Sequence, residues 1–336
     1  MGRKRDPWPG AGSSTVTLVT LSGTKSTLGA LASQLKLSAV TAGFAASVLP
    51  RRLLYRLATS DHLEKTVRVL PPLERRCYGL ARRYVAGISL EEALGVVSDL
   101  WRQGLTASVD LFGEGPREPD AIEAAVRRYL EAARRLAELE CQGYLEVVPS
   151  HLGLDISPEF LRERLERIIE ALPSGSRLEV SAEESRRMER TLEVVLALAR
   201  EGAPVMATLQ ANLRRSDVDA ERLADAGVPV RLVKGAYLEP PDVAHAWGDP
   251  TDIAFVRLAH RLHASGAELA IGTHDPVIRE ALLASLPGIG VEMLLGVRPD
   301  DARDLARRGH GVRIYVPFGD EWFRYWMRRV AEAAGS

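Results

Sequence analysis

Cysteine is scarce in this chain, with Cys77 and Cys141 the two present among 336 residues. Their spacing matches no metal-binding pattern, and two cysteines build no disulfide framework, so we expect a protein of the reducing cytoplasm. Charge of one sign is also lacking, because 44 Lys and Arg oppose 45 Asp and Glu for a formal net charge of −1. Such a chain has no global field toward nucleic acid or anionic membranes, and we predict no nucleic-acid partner.

Long apolar runs are missing as well. The stretch from Leu37 to Leu49 is short and interrupted by Ser and Thr, whereas a membrane-spanning helix needs about 20 apolar residues. We interpret it as a buried or docking helix and expect at most peripheral membrane association. A cleaved secretory signal is the alternative. The basic, Gly-, Pro- and Ser-rich beginning of the chain predicts disorder over residues 1–36.

Helical spacing of apolar residues dominates residues 37–104, which we predict to form an N-terminal helical arm. One helix of this arm has clear boundaries. Ser89 with Glu92 three residues later is a capping-box pattern, and Gly104 predicts where the helix stops.

From residue 105 to 336, short apolar or β-branched runs alternate with long amphipathic helices. The eight runs lie near 106–113, 143–150, 177–182, 204–210, 229–237, 268–275, 291–296 and 311–319. Strand–helix alternation predicts a parallel sheet, and eight units favour an α/β fold of the (β/α)8, TIM-like barrel type. An open doubly wound sheet is the alternative, although no Gly-rich dinucleotide fingerprint follows the first strand.

In such barrels the functional groups lie at the carboxyl ends of the strands. This rule by itself selects a set of polar side chains as candidates. They are Glu114, Ser150, Gln210, Arg231, Lys234, Tyr237, Thr273, His274, Asp275, Arg298 and Tyr315.

Several motifs in order resemble the proline dehydrogenase family, in its monofunctional bacterial form. The stretches are SVDLFGE, HLGLDIS, TLQANLRRS, RLVKGAYLEP, IGTHDP and YVPFGDEWFRYWMRRVAE, and the resemblance covers the chain from about residue 50 to its end. It implies a distorted (β/α)8 barrel that holds FAD and oxidises L-proline to pyrroline-5-carboxylate by hydride transfer to flavin N5. A quinone or oxygen would then accept the electrons.

The resemblance also implies residue roles. Arg231 matches an arginine beside flavin N5, where a cation would stabilise the charge on the reduced ring. Tyr237 and Tyr315 match residues near the substrate, and Arg328 with Arg329 matches a pair that grips its carboxylate, for which guanidinium forks are well shaped. The implied cofactor-binding positions are Gln210, Arg231, Val233, Lys234, Gly235, Ala236, Thr273 and His274. No metal site is implied.

Other positions depart from the family pattern. Val148 stands where the second strand usually carries a lysine, and Ser181 stands where the third usually carries an aspartate. Along the seventh strand, Gly290, Glu292 and Leu295 replace the usual Glu, Gln and Tyr. We interpret the paired loss of Lys and Asp as leaving an uncharged wall in the substrate pocket.

Three functions fit these observations. The first is FAD-dependent oxidation of a C–N bond in a carboxylate-bearing secondary amine or modified amino acid, which could contain an N–N bond and belong to a biosynthetic pathway. The second is ordinary L-proline oxidation. The third is a barrel that binds a flavin or metabolite without turnover, against which the retention of Arg231 and Gln210 argues.

Overall fold

The computed structural model of the protein describes residues 61–113, 115–116, 118–139 and 143–333. The predicted disordered tail (1–36), the apolar segment Leu37 to Leu49 and the candidate Glu114 lie outside these residues. The arm is therefore described from residue 61 onward.

Eight parallel strands close into a barrel, each paired with its neighbours in sequence and the first with the last. The strands are β1 (Thr106–Leu111), β2 (Gly143–Val147), β3 (Leu178–Val180), β4 (Val205–Gln210), β5 (Val230–Val233), β6 (Leu269–Gly272), β7 (Gly290–Leu294) and β8 (Val312–Phe318). Seven of the eight predicted runs contain one of them, and the run near 291–296 overlaps β7, which begins one residue earlier. The barrel is thus confirmed, and the open-sheet alternative is wrong.

Helices surround this barrel and precede it. They are α1 (Asp61–Val69), α2 (Pro71–Ala81), α3 (Leu90–Arg102), α4 (Pro119–Ala137), α5 (Pro158–Glu170), α6 (Ser185–Arg200), α7 (Ser216–Asp225), α8 (Asp249–Ala264), α9 (Pro276–Ser285), α10 (Pro299–Arg307) and α11 (Trp322–Ala333). The predicted capping box is present, because Ser89 Oγ accepts from Glu92 N and the Glu92 carboxylate accepts from Ser89 N. In the part of the chain that is described, no helix is long and apolar enough to cross a membrane.

Two apolar clusters hold these elements together. The larger one fills the space between strands and outer helices. The smaller one joins the arm to the last helix beside the carboxyl ends of β1 and β8, and it is rich in aromatic rings. Its buried members are Val67, Ala81, Val85, Phe112, Trp322, Phe323 and Tyr325. Packing of α2 against α11 therefore positions the last helix beside the end of the barrel where the candidate residues lie.

Candidate functional site

Charged side chains occupy the interior of the barrel, where bulky apolar residues are usual. Five strands each carry one charged residue between apolar neighbours, and alternation along a strand points these residues inward. They form a charge cluster consisting of Glu146, Glu179, Arg231, Glu292 and Arg313.

Arg231, on β5, lies at the centre of the charge cluster and is 8% exposed. Its guanidinium binds both carboxylate oxygens of Glu146, with Nη1 2.6 Å from Oε2. Nη1 also lies 3.3 Å from carboxylate oxygens of Glu179 and Glu292, and Nε donates to Thr208 Oγ1 at 3.1 Å. The three carboxylates hold the pKa of Arg231 well above its usual range although burial opposes this. Arg231 is therefore a cation whose charge is largely balanced inside the protein.

Arg313 is the second cation of the charge cluster. Its Nη1 lies 3.4 Å from Glu179 Oε2 and 3.3 Å from Glu292 Oε1, and its guanidinium lies 3.8 Å from the centre of the Tyr144 ring. Burial raises the pKa of Glu179, against the lowering effect of Arg231. Three carboxylates thus share two guanidiniums, and the cluster carries an excess of negative charge when all are ionised.

A fourth buried carboxyl group lies at the end of β1. Tyr315, on β8, donates to Asp110 Oδ2 at 2.5 Å, while Asp110 Oδ1 has no hydrogen-bond partner among the described residues. Asp110 pairs in register with Glu146 across β1 and β2. Burial, followed by the charge of Glu146, raises the pKa of Asp110 well above its ordinary value.

A neutral histidine joins the loops that follow β1 and β2. His151 Nε2 lies 2.7 Å from Gly113 O and Nδ1 lies 3.0 Å from Tyr129 Oη, so the ring donates from Nε2 and accepts at Nδ1. Burial lowers the pKa of His151 to about 4, which keeps the ring neutral near pH 7. Its role in the described structure is to hold the mouth of the barrel in place.

Gln210 and Ser150 converge on one residue after β3. Gln210 Nε2 donates to the carbonyl oxygen of Glu183 at 2.8 Å, and Ser150 N donates to its carboxylate at 2.8 Å. Gln210 is buried, and its amide therefore connects β4 to the β3–α6 loop. Any flavin contact from Gln210 would come from its remaining polar atoms.

The turn after β5 is shaped by close packing. Gly235 has φ +113, and a Cβ there would overlap the Asn212 amide, so this position requires glycine. Lys234 Nζ lies 2.6 Å from Asp252 and 3.3 Å from Asp275. Val233 and Ala236 flank these residues, half-buried and exposed respectively.

Two candidates follow β6 and are fixed by backbone contacts. Thr273 Oγ1 accepts from Asp275 N at 3.2 Å, and the Asp275 carboxylate caps the start of α9. His274 Nε2 accepts from Leu294 N at 2.9 Å, so its Nδ1 carries the proton. Burial and the nearby charge of Arg329 lower the pKa of His274 to about 4. Arg298 lies on an exposed turn, and its charge also lowers the pKa of His274.

The arginine pair on α11 lies close to the candidates after β5 and β6. Arg329 lies over the Tyr325 ring, with its guanidinium carbon 4.9 Å from the ring centre, and its charge acts on His274. Arg328 is close enough to Tyr237 to lower its pKa, although burial raises that pKa overall. Both arginines are half-buried. The pair therefore faces the same end of the barrel as the predicted flavin contacts.

The wall that we predicted to be uncharged is in fact charged, so that prediction is wrong. Ser181 Oγ donates to Glu146 Oε1, which places a carboxylate directly behind the position that lacks an aspartate. Val148 contributes its backbone N–H to Tyr129 Oη at 3.4 Å and no charge. Glu292 belongs to the charge cluster, and the other two altered positions, Gly290 and Leu295, are half-buried and uncharged. The carboxylate nearest to Ser181 therefore lies in the interior of the barrel, on β2.

Sequence reasoning missed several residues that the barrel brings together. They are Asp110, Tyr129, Glu146, His151, Glu179 and Arg313. A usable signal was present in the stretches YLEVV, LEVS, VRLV, VEML and VRIY, each with one charge between apolar residues. In a strand whose neighbours are apolar, such a charge at an inward position indicates an internal partner.

The residues around Arg231 fit a flat aromatic cofactor. On the adjacent strand the inward positions paired with Arg231 and Val233 are Ala270 and Gly272, which have no side chain beyond Cβ. These small residues put no bulky side chain on β6 beside the guanidinium, and a Cβ at Gly272 would already meet the Val233 side chain.

Comparison with known proteins identifies relatives across most of the chain. A family model described as proline dehydrogenase matches residues 93–336. The chain is 33% identical over 260 residues to proline dehydrogenase 1 of Bacillus subtilis (strain 168), covering 75% of this chain and 86% of that protein. It is 32% identical over 295 residues to the proline dehydrogenase of Deinococcus radiodurans, covering 83% and 94%.

Solved structures show the same fold. Proline utilization A from Bdellovibrio bacteriovorus superimposes with a TM-score of 0.76 at 19% identity. The match covers 91% of this chain but 40% of that longer one, so it supports the barrel architecture and its helical arm.

Proposed function

Because this chain belongs to the proline dehydrogenase family, we propose that it oxidises L-proline to pyrroline-5-carboxylate with FAD as hydride acceptor. The observation that supports this most is the family match over residues 93–336, which includes all eight strands and the last helix. The relatives at about one-third identity are themselves called proline dehydrogenases. These comparisons favour ordinary proline oxidation over the modified-amine hypothesis that Val148 and Ser181 suggested.

Binding of the substrate carboxylate is assigned to Arg328 and Arg329. Both lie at the end of the barrel where the strand-end candidates meet, and guanidinium groups bind carboxylates through paired, charge-assisted hydrogen bonds. Tyr237 and Tyr315 would flank the ring of the substrate. Both phenols stay protonated, because burial raises the pKa of each.

The cofactor would be held by Gln210, the Val233–Ala236 turn, Thr273 and His274. When bound, FAD supplies an acceptor for the hydride on the carbon next to nitrogen. Arg231 would be the cation beside that acceptor, and Glu146 offsets much of its charge. The final electron acceptor would be a quinone or oxygen.

Anaerobic reduction of the purified flavoprotein tests this function. L-proline should bleach the visible flavin absorbance more rapidly than a panel of larger-ring, N-methylated and N–N-bonded amino acids. Bleaching by one of those compounds with no response to L-proline would instead support the modified-amine hypothesis. A protein that binds no flavin would refute both enzymatic hypotheses.

The carboxylate assignment has its own test. Arg328→Ala or Arg329→Ala should weaken proline binding by about 2–5 kcal/mol while flavin affinity stays the same. Arg127→Ala is the matched control, because Arg127 also belongs to an Arg–Arg pair but is exposed on α4. Unchanged proline affinity in both α11 variants would refute the assignment.

A further inference from the structure

Asp110 is a buried acid that presents an unused oxygen at the carboxyl end of β1. One oxygen accepts from Tyr315, whereas Oδ1 has no partner among the described residues and the residue is 4% exposed. Buried polar atoms are nearly always hydrogen-bonded, so an orphaned carboxylate oxygen calls for a specific explanation. Ser108, two residues earlier on the same strand, faces Glu146 inside the barrel, and strand alternation gives Asp110 the same inward direction.

The position of Asp110 relative to α11 suits a bound amino acid. Tyr315, which binds Asp110, lies against Tyr325 with ring centres 6.1 Å apart, and Arg329 lies over Tyr325. These residues form a continuous wall with a carboxyl group at one end and a guanidinium at the other. A substrate that carries an ammonium group and a carboxylate has the complementary arrangement of charge.

We propose that Asp110 is the catalytic residue that accepts the proton lost by the substrate ammonium before its C–N bond is oxidised. This inference rests on the proposed function. An N–H bond breaks, an O–H bond forms at Oδ1, and the electron pair stays on nitrogen. Hydride then leaves the adjacent carbon with two electrons for the flavin of the proposed function. The nitrogen pair forms the C=N bond, and the resulting iminium releases its N–H proton to yield the imine.

The other interior acids are poorer candidates because their oxygens face arginines. Glu179 Oε1 and Glu292 Oε1 also lack a hydrogen bond, but each lies 3.3 Å from a guanidinium nitrogen. Glu146 is bound through both oxygens by Arg231, and Glu179 and Glu292 each contact Arg231 and Arg313. A guanidinium partner favours the ionised carboxylate and makes it a weaker base.

The surroundings of Asp110 make it a stronger base than an ordinary aspartate. The groups that face it are Tyr315 from β8, Glu146 from β2, Arg231 from β5, Tyr129 from α4 and the backbone N–H of Leu111. Burial and Glu146 raise its pKa, and together they outweigh the lowering by Tyr315, Arg231 and Leu111. A general base works best when its pKa approaches the operating pH.

The test is Asp110→Asn in the flavin-loaded enzyme, followed by anaerobic single-turnover reduction with L-proline from neutral to alkaline pH. Asparagine can still accept from Tyr315 but cannot take up a proton. We expect flavin reduction to slow by about 100-fold at neutral pH, and the deficit to shrink as pH rises, because more of the proline then arrives with its amine already deprotonated. Equal deficits at every pH, or no deficit, would overturn the proposal.

A second readout separates proton acceptance from a structural role. Cyclopentanecarboxylate keeps the ring and carboxylate but lacks the amine, so its affinity, followed by perturbation of the flavin spectrum, should be the same in Asp110→Asn and wild type. The control is Asp219→Asn, because Asp219 is equally buried but is bound by Arg215 outside the barrel. Any effect of Asp219→Asn on the rate of flavin reduction should be the same at neutral and at high pH. Loss of cyclopentanecarboxylate binding in Asp110→Asn alone would indicate a structural role.

Tyr315→Phe covers the case in which Asp110→Asn fails to fold. The Tyr315 hydrogen bond lowers the pKa of Asp110, so its removal should raise that pKa and move the rate profile toward higher pH. A profile that stays in place would contradict the proposal. Wild-type flavin that L-proline does not reduce at any pH would refute the proposed function itself, whereas wild-type reduction with an unaltered Asp110→Asn rate would refute this inference alone.

Discussion

Replacing Arg231 by methionine should destabilise the protein far more than neutralising its main acidic partner. Arg231 is the common partner of Glu146, Glu179 and Glu292, and each of these carboxylates is at most 5% exposed. Methionine fills a similar volume but supplies no charge and no hydrogen bond. Glu179 and Glu292 would then depend on Arg313, and Glu146 would keep the hydroxyl groups of Ser108 and Ser181 as partners.

The two variants differ in what they leave unpaired. Removal of one partner from a buried ion pair costs about 3–5 kcal/mol, and Arg231→Met belongs to this class. Glu146→Gln leaves Arg231 with two carboxylates and still offers an amide oxygen to its guanidinium. The loss is then a charged hydrogen bond, worth about 1.5–3 kcal/mol, reduced by relief of repulsion among the acids.

The cost of Arg231→Met should also depend on pH. Burial already raises the pKa values of Glu146 and Glu179, and Arg231 opposes that shift. Without Arg231 the folded-state pKa values rise further above the unfolded values, so the folded protein binds more protons. Stability is then retained at acidic pH and lost as pH rises through the folded pKa values.

Urea unfolding of both variants and the wild type, at acidic and at alkaline pH and equal flavin loading, checks this reasoning. The gap between wild type and Arg231→Met should widen as pH rises, and Glu146→Gln should remain the milder variant. Two results would refute the charge balance described above. One is an Arg231→Met protein as stable as Glu146→Gln, and the other is a loss of unfolding free energy in Arg231→Met that does not change with pH.

Three further predictions concern single positions. Gly235→Ala should lower the free energy of unfolding by about 1–3 kcal/mol from its positive φ alone, and the clash with Asn212 should add to this loss. Gly202→Ala is the control in the same urea titration, because Gly202 has a positive φ but open space around it and should show the backbone effect alone. The free energy of unfolding of His151→Gln should approach that of the wild type by about 2 kcal/mol between pH 7 and pH 5. The pKa of His151 is about 4 in the folded wild type against 6.5 when unfolded, so unfolding of the wild type takes up a proton in that window. A difference that stays constant would contradict this. Ser181→Asp should destabilise the protein, because it sets a second carboxylate against that of Glu146. A melting temperature that is unchanged near pH 8 would show that the two carboxylates are not in contact.

The comparisons with known proteins changed the substrate hypothesis, and the positions of the buried charges are compatible with that change. Val148 and Ser181 were interpreted from the sequence as a pocket without charge, and that interpretation favoured an unusual amine. The structure places Glu146 behind Ser181 and Asp110 on the neighbouring strand. Under our proposal, Asp110 is the carboxylate that meets the substrate ammonium, and it comes from a strand position that the motif comparison did not select.

The fold class and the functional end of the barrel could be predicted from local patterns along the chain. Alternation of apolar runs and amphipathic helices reflects contacts between near neighbours, so periodicity predicted all eight strands and the helix that begins after Ser89. The turn after β5 is likewise marked in the sequence by Gly235, and its positive φ explains why glycine stands there. These features depend on backbone geometry within a few residues.

Only the tertiary structure decided how the interior charges pair. Glu146 and Arg231 are 85 positions apart, and Asp110 and Tyr315 are 205 apart. Their meeting depends on closure of the barrel and on the register of every strand between them, neither of which leaves a periodic trace in the sequence. The identity of each charged residue was readable from the chain, but its partner was set by the closed sheet.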